Sequence, residues 1–145
     1  MISQTAEYAL RAVVCLAEAE GRRSTTAQIA EATHVPRTYL SKVLDTLSRA
    51  GLVSGRRGPG GGFTLQRDPA EITALQVISA VDPLKRIPGC PLDLPEHSQA
   101  LCPLHQQLDD ATAAAEAALR RHTIADLLAK RQPGLSAAHF PTDGV

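Results

Sequence analysis

The segment Gly55-Arg56-Arg57-Gly58-Pro59-Gly60-Gly61-Gly62-Phe63 constrains this chain more than any other. Glycine at this density cannot sustain a helix, because each glycine gives up more backbone freedom on folding than any other residue, and Pro59 removes a backbone donor. On either side lie Leu52-Val53-Ser54 and Phe63-Thr64-Leu65, short runs that alternate apolar and polar residues. Such runs around a glycine-rich turn predict a small β-hairpin, with the turn over residues 55–62. Its arginines and its uncrowded backbone suit the close approach of a phosphate or a nucleic-acid groove. A nucleotide-binding P-loop is disfavoured: the run lacks the closing Lys-Ser/Thr pair and leads into a strand rather than a helix N-terminus.

What precedes the hairpin reads as helices. Ser3 is placed to cap a first helix whose apolar residues Tyr8, Ala9, Ala12, Val13, Leu16 and Ala17 recur at spacings of three and four until Gly21 stops it, leaving Glu7, Arg11 and Glu18 exposed. Thr25 or Thr26 then caps a short helix through Ile29 and Ala30, which His34-Val35-Pro36 breaks. A longer helix starts at Pro36 or Arg37, carries Tyr39, Leu40, Val43, Leu44 and Leu47 as its apolar stripe, and ends at Gly51.

Two helices joined by a tight turn and followed by a hairpin make a winged helix-turn-helix over residues 24–67, with the second helix as the one that enters the major groove. Arg37, Thr38, Ser41 and Lys42 supply the polar and basic face such a helix needs: arginine can pair with a guanine edge, while hydroxyls and lysine suit base edges or phosphates. The expected DNA-contacting set is Thr26, Arg37, Thr38, Tyr39, Ser41 and Lys42 on the helices, with Arg56, Arg57, Gly58, Pro59, Gly60 and Gly61 in the wing. An ordinary amphipathic helix with a solvated face would show the same pattern in the first group, so the wing tips the balance.

Composition agrees. Alanine and leucine are abundant, tryptophan is absent, and there are only two Tyr and two Phe, which favours helices packed through small aliphatic residues. The net charge is zero, yet residues 1–67 hold nine Lys/Arg against five Asp/Glu and residues 68–145 hold six against ten, so the first half is the nucleic-acid candidate. With 145 residues the chain suits one domain, or a small domain with an appended oligomerisation element. No apolar run approaches the roughly 18 residues of a membrane span. Gln4, Glu7 and Arg11 break the N-terminal stretch where a signal peptide would be apolar, so a cytoplasmic location without membrane contact is expected. Three cysteines, Cys15, Cys90 and Cys102, argue against a disulfide framework, and Cys15 is expected to be buried in the first helix. No nucleophile and base pair or dinucleotide loop is present to make an enzyme.

Beyond the hairpin, Ile72, Leu75, Val77, Ile78 and Val81 predict a helix over 72–81, closed by Asp82-Pro83. A proline-rich loop follows to residue 101. Leu104, Leu108, Ala111, Ala115, Ala118 and Leu119 predict a long helix over 103–121, and a short one spans 124–128. Residues 132–145, with Gly134, Pro141 and Gly144, read as a frayed or disordered tail. The expected architecture is mainly α with a small β-hairpin wing: a winged helix-turn-helix at 1–82, a loop at 83–101, a helical segment at 102–130 and a tail at 131–145.

The chain resembles the Rrf-type winged-helix transcriptional regulators, the group that includes IscR, NsrR and CymR. The carriers are Glu7-Tyr8-Ala9-Leu10, the segment from Tyr39-Leu40 to Gly51-Leu52-Val53, the wing Arg57-Gly58-Pro59-Gly60-Gly61-Gly62-Phe63, and Glu71-Ile72-Thr73 through Ala80-Val81-Asp82, together covering residues 1 to about 130. The resemblance implies a homodimer, paired through 102–130 as its dimerisation helix, that acts as a repressor and sets two recognition helices on a palindromic DNA site. A winged-helix module that binds protein rather than DNA is the rival class of function.

The resemblance also makes 83–101 a sensor or cofactor loop. Cluster-binding relatives carry three cysteines and then a histidine there; Cys90 and Cys102 match the outer cysteines and His105 the histidine, while Glu96, followed by His97, stands where the middle cysteine would be. In some relatives an acidic residue at the place of Glu7 ligates the cluster across the dimer, so Cys90, Cys102, His105 and Glu7 are the implied metal ligands, with His34 as a second candidate. Mixed ligation of that kind is workable for a two-iron, two-sulfur cluster. Zinc, a thiol switch between Cys90 and Cys102, and a cofactor-free loop stay open beside it.

Overall fold

A computed structural model describes residues 2–130; the tail expected at 131–145 lies outside the described residues. The elements are α1 (Gln4–Glu18), α2 (Thr26–Thr33), α3 (Arg37–Arg49), β1 (Val53–Arg56), β2 (Gly62–Leu65), α4 (Ala74–Val81), α5 (Pro103–Arg120) and α6 (Ile124–Ala129), with 3-10 turns at Pro69–Glu71 and Pro95–His97. The mainly helical class with one small antiparallel hairpin is as expected.

Local chemistry sets most of the boundaries. The Ser3 hydroxyl accepts from the Ala6 N–H at 3.1 Å and starts α1. That helix closes at Glu18, with Ala19 as its cap, a little before the expected stop at Gly21: Glu20 and Gly21 both take positive φ and turn the chain away. Of the two threonines proposed as caps, Thr25 serves. Its hydroxyl accepts from the Gln28 N–H at 3.2 Å while the Gln28 side chain accepts from the Thr25 N–H at 2.9 Å, a reciprocal capping box that leaves Thr26 as the first helical residue. His34, in the left-handed region at φ 57°, makes the tight turn into α3.

The expected helix over 72–81 is shorter at its start. Ile72 is extended, and its carbonyl accepts from the Ile124 N–H at 2.8 Å; Thr73 caps α4 through a second capping box with Gln76. A threonine hydroxyl that satisfies helix-end donors outweighs apolar spacing as a boundary signal. The same junction ties in the chain's C-terminal part, since Thr73 bridges Thr123 and Ile124 is fully buried in the cluster that holds Ala12, Leu16, Leu44 and Ile72.

The core is aliphatic. Leu16, Ile29, Leu40, Leu44, Leu47, Ile72, Ile78 and Ile124 are its largest fully buried side chains, arranged around the alanine face of α1. Cys15 is half-buried rather than enclosed, and burial pushes its thiol up. The α5 helix stands apart: of its residues only Asp109 is buried, and Leu104 and Leu108 are 62% and 51% exposed.

Replacing Ile124 by alanine should therefore cost about 2–5 kcal/mol of stability. At fixed protein concentration, urea unfolding should show a lower midpoint with an unchanged slope, because the native fold is kept and only its packing is weakened.

Candidate nucleic-acid interface and sensor loop

The wing is built by backbone constraints. Strand β1 pairs with β2 in the register Val53↔Leu65, Ser54↔Thr64, Gly55↔Phe63 and Arg56↔Gly62. The turn between them closes on a Gly61 N–H to Gly58 carbonyl bond of 2.9 Å. A Cβ on Gly61 would strike the Arg56 carbonyl and come within 2.7 Å of the Gly58 carbonyl, so the tip admits no side chain at that position. On the other edge, Ser24 and Phe63 exchange both backbone hydrogen bonds, at 3.0 and 2.8 Å, which adds a single-residue third strand just before α2. Gly62, at φ 125°, is what lets that strand approach: a Cβ there would lie 2.7 Å from the Ser24 carbonyl. The wing is thereby joined directly to the helix-turn-helix.

The α3 helix presents Arg37, Thr38, Ser41 and Lys42 exposed, with Leu40, Val43, Leu44 and Leu47 buried behind them. Arg56, Arg57, Gly58, Pro59 and Gly60 are exposed as well. Among the described residues, none of Arg37, Lys42, Arg56 and Arg57 is within ion-pair range of a carboxylate, whereas Arg49 is held by Asp45 at 2.7 Å. Ser41 already donates to the Arg37 carbonyl at 3.1 Å. Tyr39 is turned toward α1: its hydroxyl lies 2.5 Å from the Thr5 hydroxyl, and its ring meets Tyr8 edge to face with centroids 5.3 Å apart. Its place is that of a clamp between α1 and α3.

The loop brings its sulfurs and imidazoles together as two separate pairs. Cys90 Sγ lies 3.5 Å from His97 Nδ1, and Cys102 Sγ lies 3.2 Å from His105 Nδ1. The Leu94 backbone, followed by the His97 imidazole, holds the Cys90 thiol below the usual thiol range. Glu96 is exposed in the 3-10 turn, and His34 lies in the turn between α2 and α3. Glu7 is bonded at 2.5 Å to Arg11, whose guanidinium also donates to the Thr33 carbonyl and stacks 5.6 Å from the Tyr8 ring centre. Among the described residues no three His, Cys, Asp or Glu side chains converge where a metal could sit. Within one chain, Cys90, Cys102, His105 and Glu7 do not converge on one point.

The root of the loop is fastened to α5. Arg86 binds the Asp109 carboxylate through two bonds of 2.6 and 2.8 Å and reaches Glu116 at 3.4 Å, while the Ile87 N–H donates to Asp109 at 2.7 Å. Sequence spacing gave no hint of this clasp, because the partners lie more than twenty positions apart. The Arg86 guanidinium, then the Ile87 N–H, hold the Asp109 carboxyl down at about 2 against an ordinary 3.8.

A helix-turn-helix with exposed cations on its second helix and a glycine-built basic wing defines a winged-helix DNA-binding protein. The family model of Rrf2, described as an iron-dependent transcriptional regulator, matches residues 2–130, and the chain belongs to that family. It is accordingly a DNA-binding transcriptional regulator and not an enzyme. Solved structures agree in fold. CymR, the global cysteine regulator of B. subtilis, is 25% identical, with 91% of this chain and 98% of that one covered at a TM-score of 0.73. T. potens IscR is 24% identical, with 92% and 93% covered and a TM-score of 0.73. An oxidized form of Staphylococcus aureus CymR is 25% identical, with 91% and 98% covered and a TM-score of 0.70. Among the described residues, no helix is long and apolar enough to cross a membrane.

Two outcomes follow. Gly61→Ala should disrupt the wing tip and weaken DNA binding in a mobility-shift titration while the helical circular-dichroism signal is kept. Asp109 has a depressed carboxyl in the folded state, so the stability it confers is full above the ordinary carboxylate range and is lost as the pH falls toward 2. The stability gap between the wild type and Asp109→Asn should close over that window in acid-unfolding measurements.

Proposed function

We propose that this protein is a cytoplasmic, homodimeric repressor that binds a palindromic operator and responds to redox state through the loop carrying Cys90 and Cys102. The observation that carries the DNA reading is the set of cations Arg37, Lys42, Arg56 and Arg57, which have no carboxylate partner among the described residues, on the exposed face of α3 and on the wing. In this reading α3 lies in the major groove with Arg37, Thr38, Ser41 and Lys42 toward the bases, and Arg56 to Gly61 hold the phosphate backbone, with Thr26 at the start of α2 beside them. Tyr39 contributes by fixing α3 against α1. Dimerisation is supported by Leu104 and Leu108 of α5, an apolar stripe left exposed among the described residues.

The sensing reading rests on the two thiol–imidazole pairs. A thiol held below its usual range is more nucleophilic at neutral pH and more readily oxidised, and a relative has been solved in an oxidized form. A second reading, favoured by the soft donors and by the iron-dependent description of the family, is a two-iron, two-sulfur cluster held by Cys90, Cys102 and His105 with Glu7 of the partner subunit. It requires the two pairs to be drawn together.

Fragment selection from the source genome should enrich a palindrome; absence of one would overturn the regulator reading. Arg57→Ala should weaken binding to all sequences alike. Arg37→Ala should relax specificity at particular bases, by about 1–3 kcal/mol each. Anaerobic purification with a visible spectrum and iron and sulfide analysis separates the two sensing readings: a colourless, iron-free protein that loses operator affinity on mild peroxide treatment supports the thiol switch, and stoichiometric iron and sulfide supports the cluster.

A further inference from the structure

Arg23 belongs to no helix and lies outside the hairpin, yet the fold delivers it to the wing. The exchange of hydrogen bonds between Ser24 and Phe63 lays residues 23–25 along the free edge of β2. From there the Arg23 guanidinium donates to the Gly62 carbonyl at 3.4 Å. On the opposite edge of β2, Arg56 is the register partner of the same glycine. Two guanidinium-bearing residues thus flank Gly62, with Arg57 next along the chain. All three are exposed, and among the described residues no carboxylate lies within ion-pair range of any of them.

Exposed cations on neighbouring segments raise the local positive potential, and binding an external anion there relieves it. The Gly62 carbonyl satisfies one donor of Arg23 at the long end of hydrogen-bond range, leaving the rest of its fork of donors for a ligand. A planar guanidinium of this kind suits a phosphate diester.

We propose that Arg23 is a DNA phosphate-binding residue of this protein, acting beside Arg56 and Arg57 so that the wing grips the backbone with three cations rather than two. The inference rests on the DNA-binding reading above and extends it to a segment before α2. The contact is sequence-independent. Because the Ser24 strand runs directly into α2, a phosphate held at Arg23 also fixes the helix-turn-helix relative to the backbone, and so sets the depth at which α3 sits in the groove.

The test is the salt dependence of binding by Arg23→Ala and Arg23→Lys, measured by fluorescence anisotropy on operator and on unrelated duplex. Each neutralised phosphate contributes about 0.9 to the slope of log affinity against log salt. Arg23→Ala should lower the slope by about that amount, so that its deficit relative to wild type shrinks about three- to fourfold between 50 and 200 mM salt, equally on both duplexes. Arg23→Lys should keep the wild-type slope. Thermal melting of each variant reports on the fold. Were Arg23 only a brace for the wing, Arg23→Ala would leave the slope unchanged, or Arg23→Lys would fail as badly as alanine, and either result overturns the proposal. Failure of the wild type to bind any duplex would instead overturn the reading on which it rests.

Discussion

Helix α1 packs against α2, α3, α4, α6 and β2, and it does so through a face made largely of alanine. Ala6, Ala9 and Ala12 are fully buried, with Val13 and Leu16 completing the surface. Side chains that end at Cβ contribute little apolar area of their own. Their value is geometric: they let neighbouring backbones come close, so that larger residues on the surrounding elements, Leu40, Leu44, Ile72, Val77 and Ile124, can meet over them. A bulkier residue on this face would displace several elements together, because close-packed interiors transmit strain rather than absorb it. The placement of α3 and of α4 is therefore one packing problem.

The polar edge of α1 refines what its alanine face sets. Thr5 and Tyr8 hold Tyr39 at the start of α3, and Arg11 reaches the Thr33 carbonyl at the end of α2. These contacts bracket the turn between the two helices from the α1 side. Individually they are modest, since hydrogen bonds near the surface contribute about 0.5–1.5 kcal/mol net. Buried Leu40, Leu44 and Leu47 hold α3 in the fold; the tyrosine pair and Arg11 fix its tilt. Division of labour of this kind leaves the orientation of α3 more adjustable than its attachment.

Much of this was legible in the sequence because its causes are local. The wing follows from glycines whose neighbours forbid a Cβ, and Ser3 and Gly51 mark helix limits through chemistry within a turn of themselves. Thr73 shows where local signals compete: apolar spacing extended α4 back to Ile72, and the capping hydroxyl decided otherwise. Ser24 was opaque for another reason. A one-residue bridge has no period, so nothing in the chain announces that the stretch before α2 pairs with Phe63. The doublet Arg22-Arg23, set between Gly21 and Ser24, was the one signal that could have drawn attention there. In the loop, family resemblance singled out Cys90, Cys102 and His105, but which imidazole meets which thiol depends on a turn at Pro95–His97 that lies beyond the reach of periodicity.

Both ends of that loop are fixed to the same helix. At its root, Arg86 and Ile87 bind Asp109; at its end, Cys102 is the residue that opens α5, and its sulfur is engaged with His105 in the first turn rather than with the helix donors. A segment anchored twice on one element passes a change in its shape to that element first. Helix α5 packs on α4, which packs on both α1 and α3, whereas the wing hangs from β1, β2 and Ser24 and has no bond to the loop among the described residues. A chemical event at Cys90 or Cys102 is thus positioned to alter how α5 lies against α4 and how its leucine stripe is presented, and to leave the wing as it was. In the homodimer proposed above, control of that form would act on the relative placement of the two α3 helices rather than on either wing.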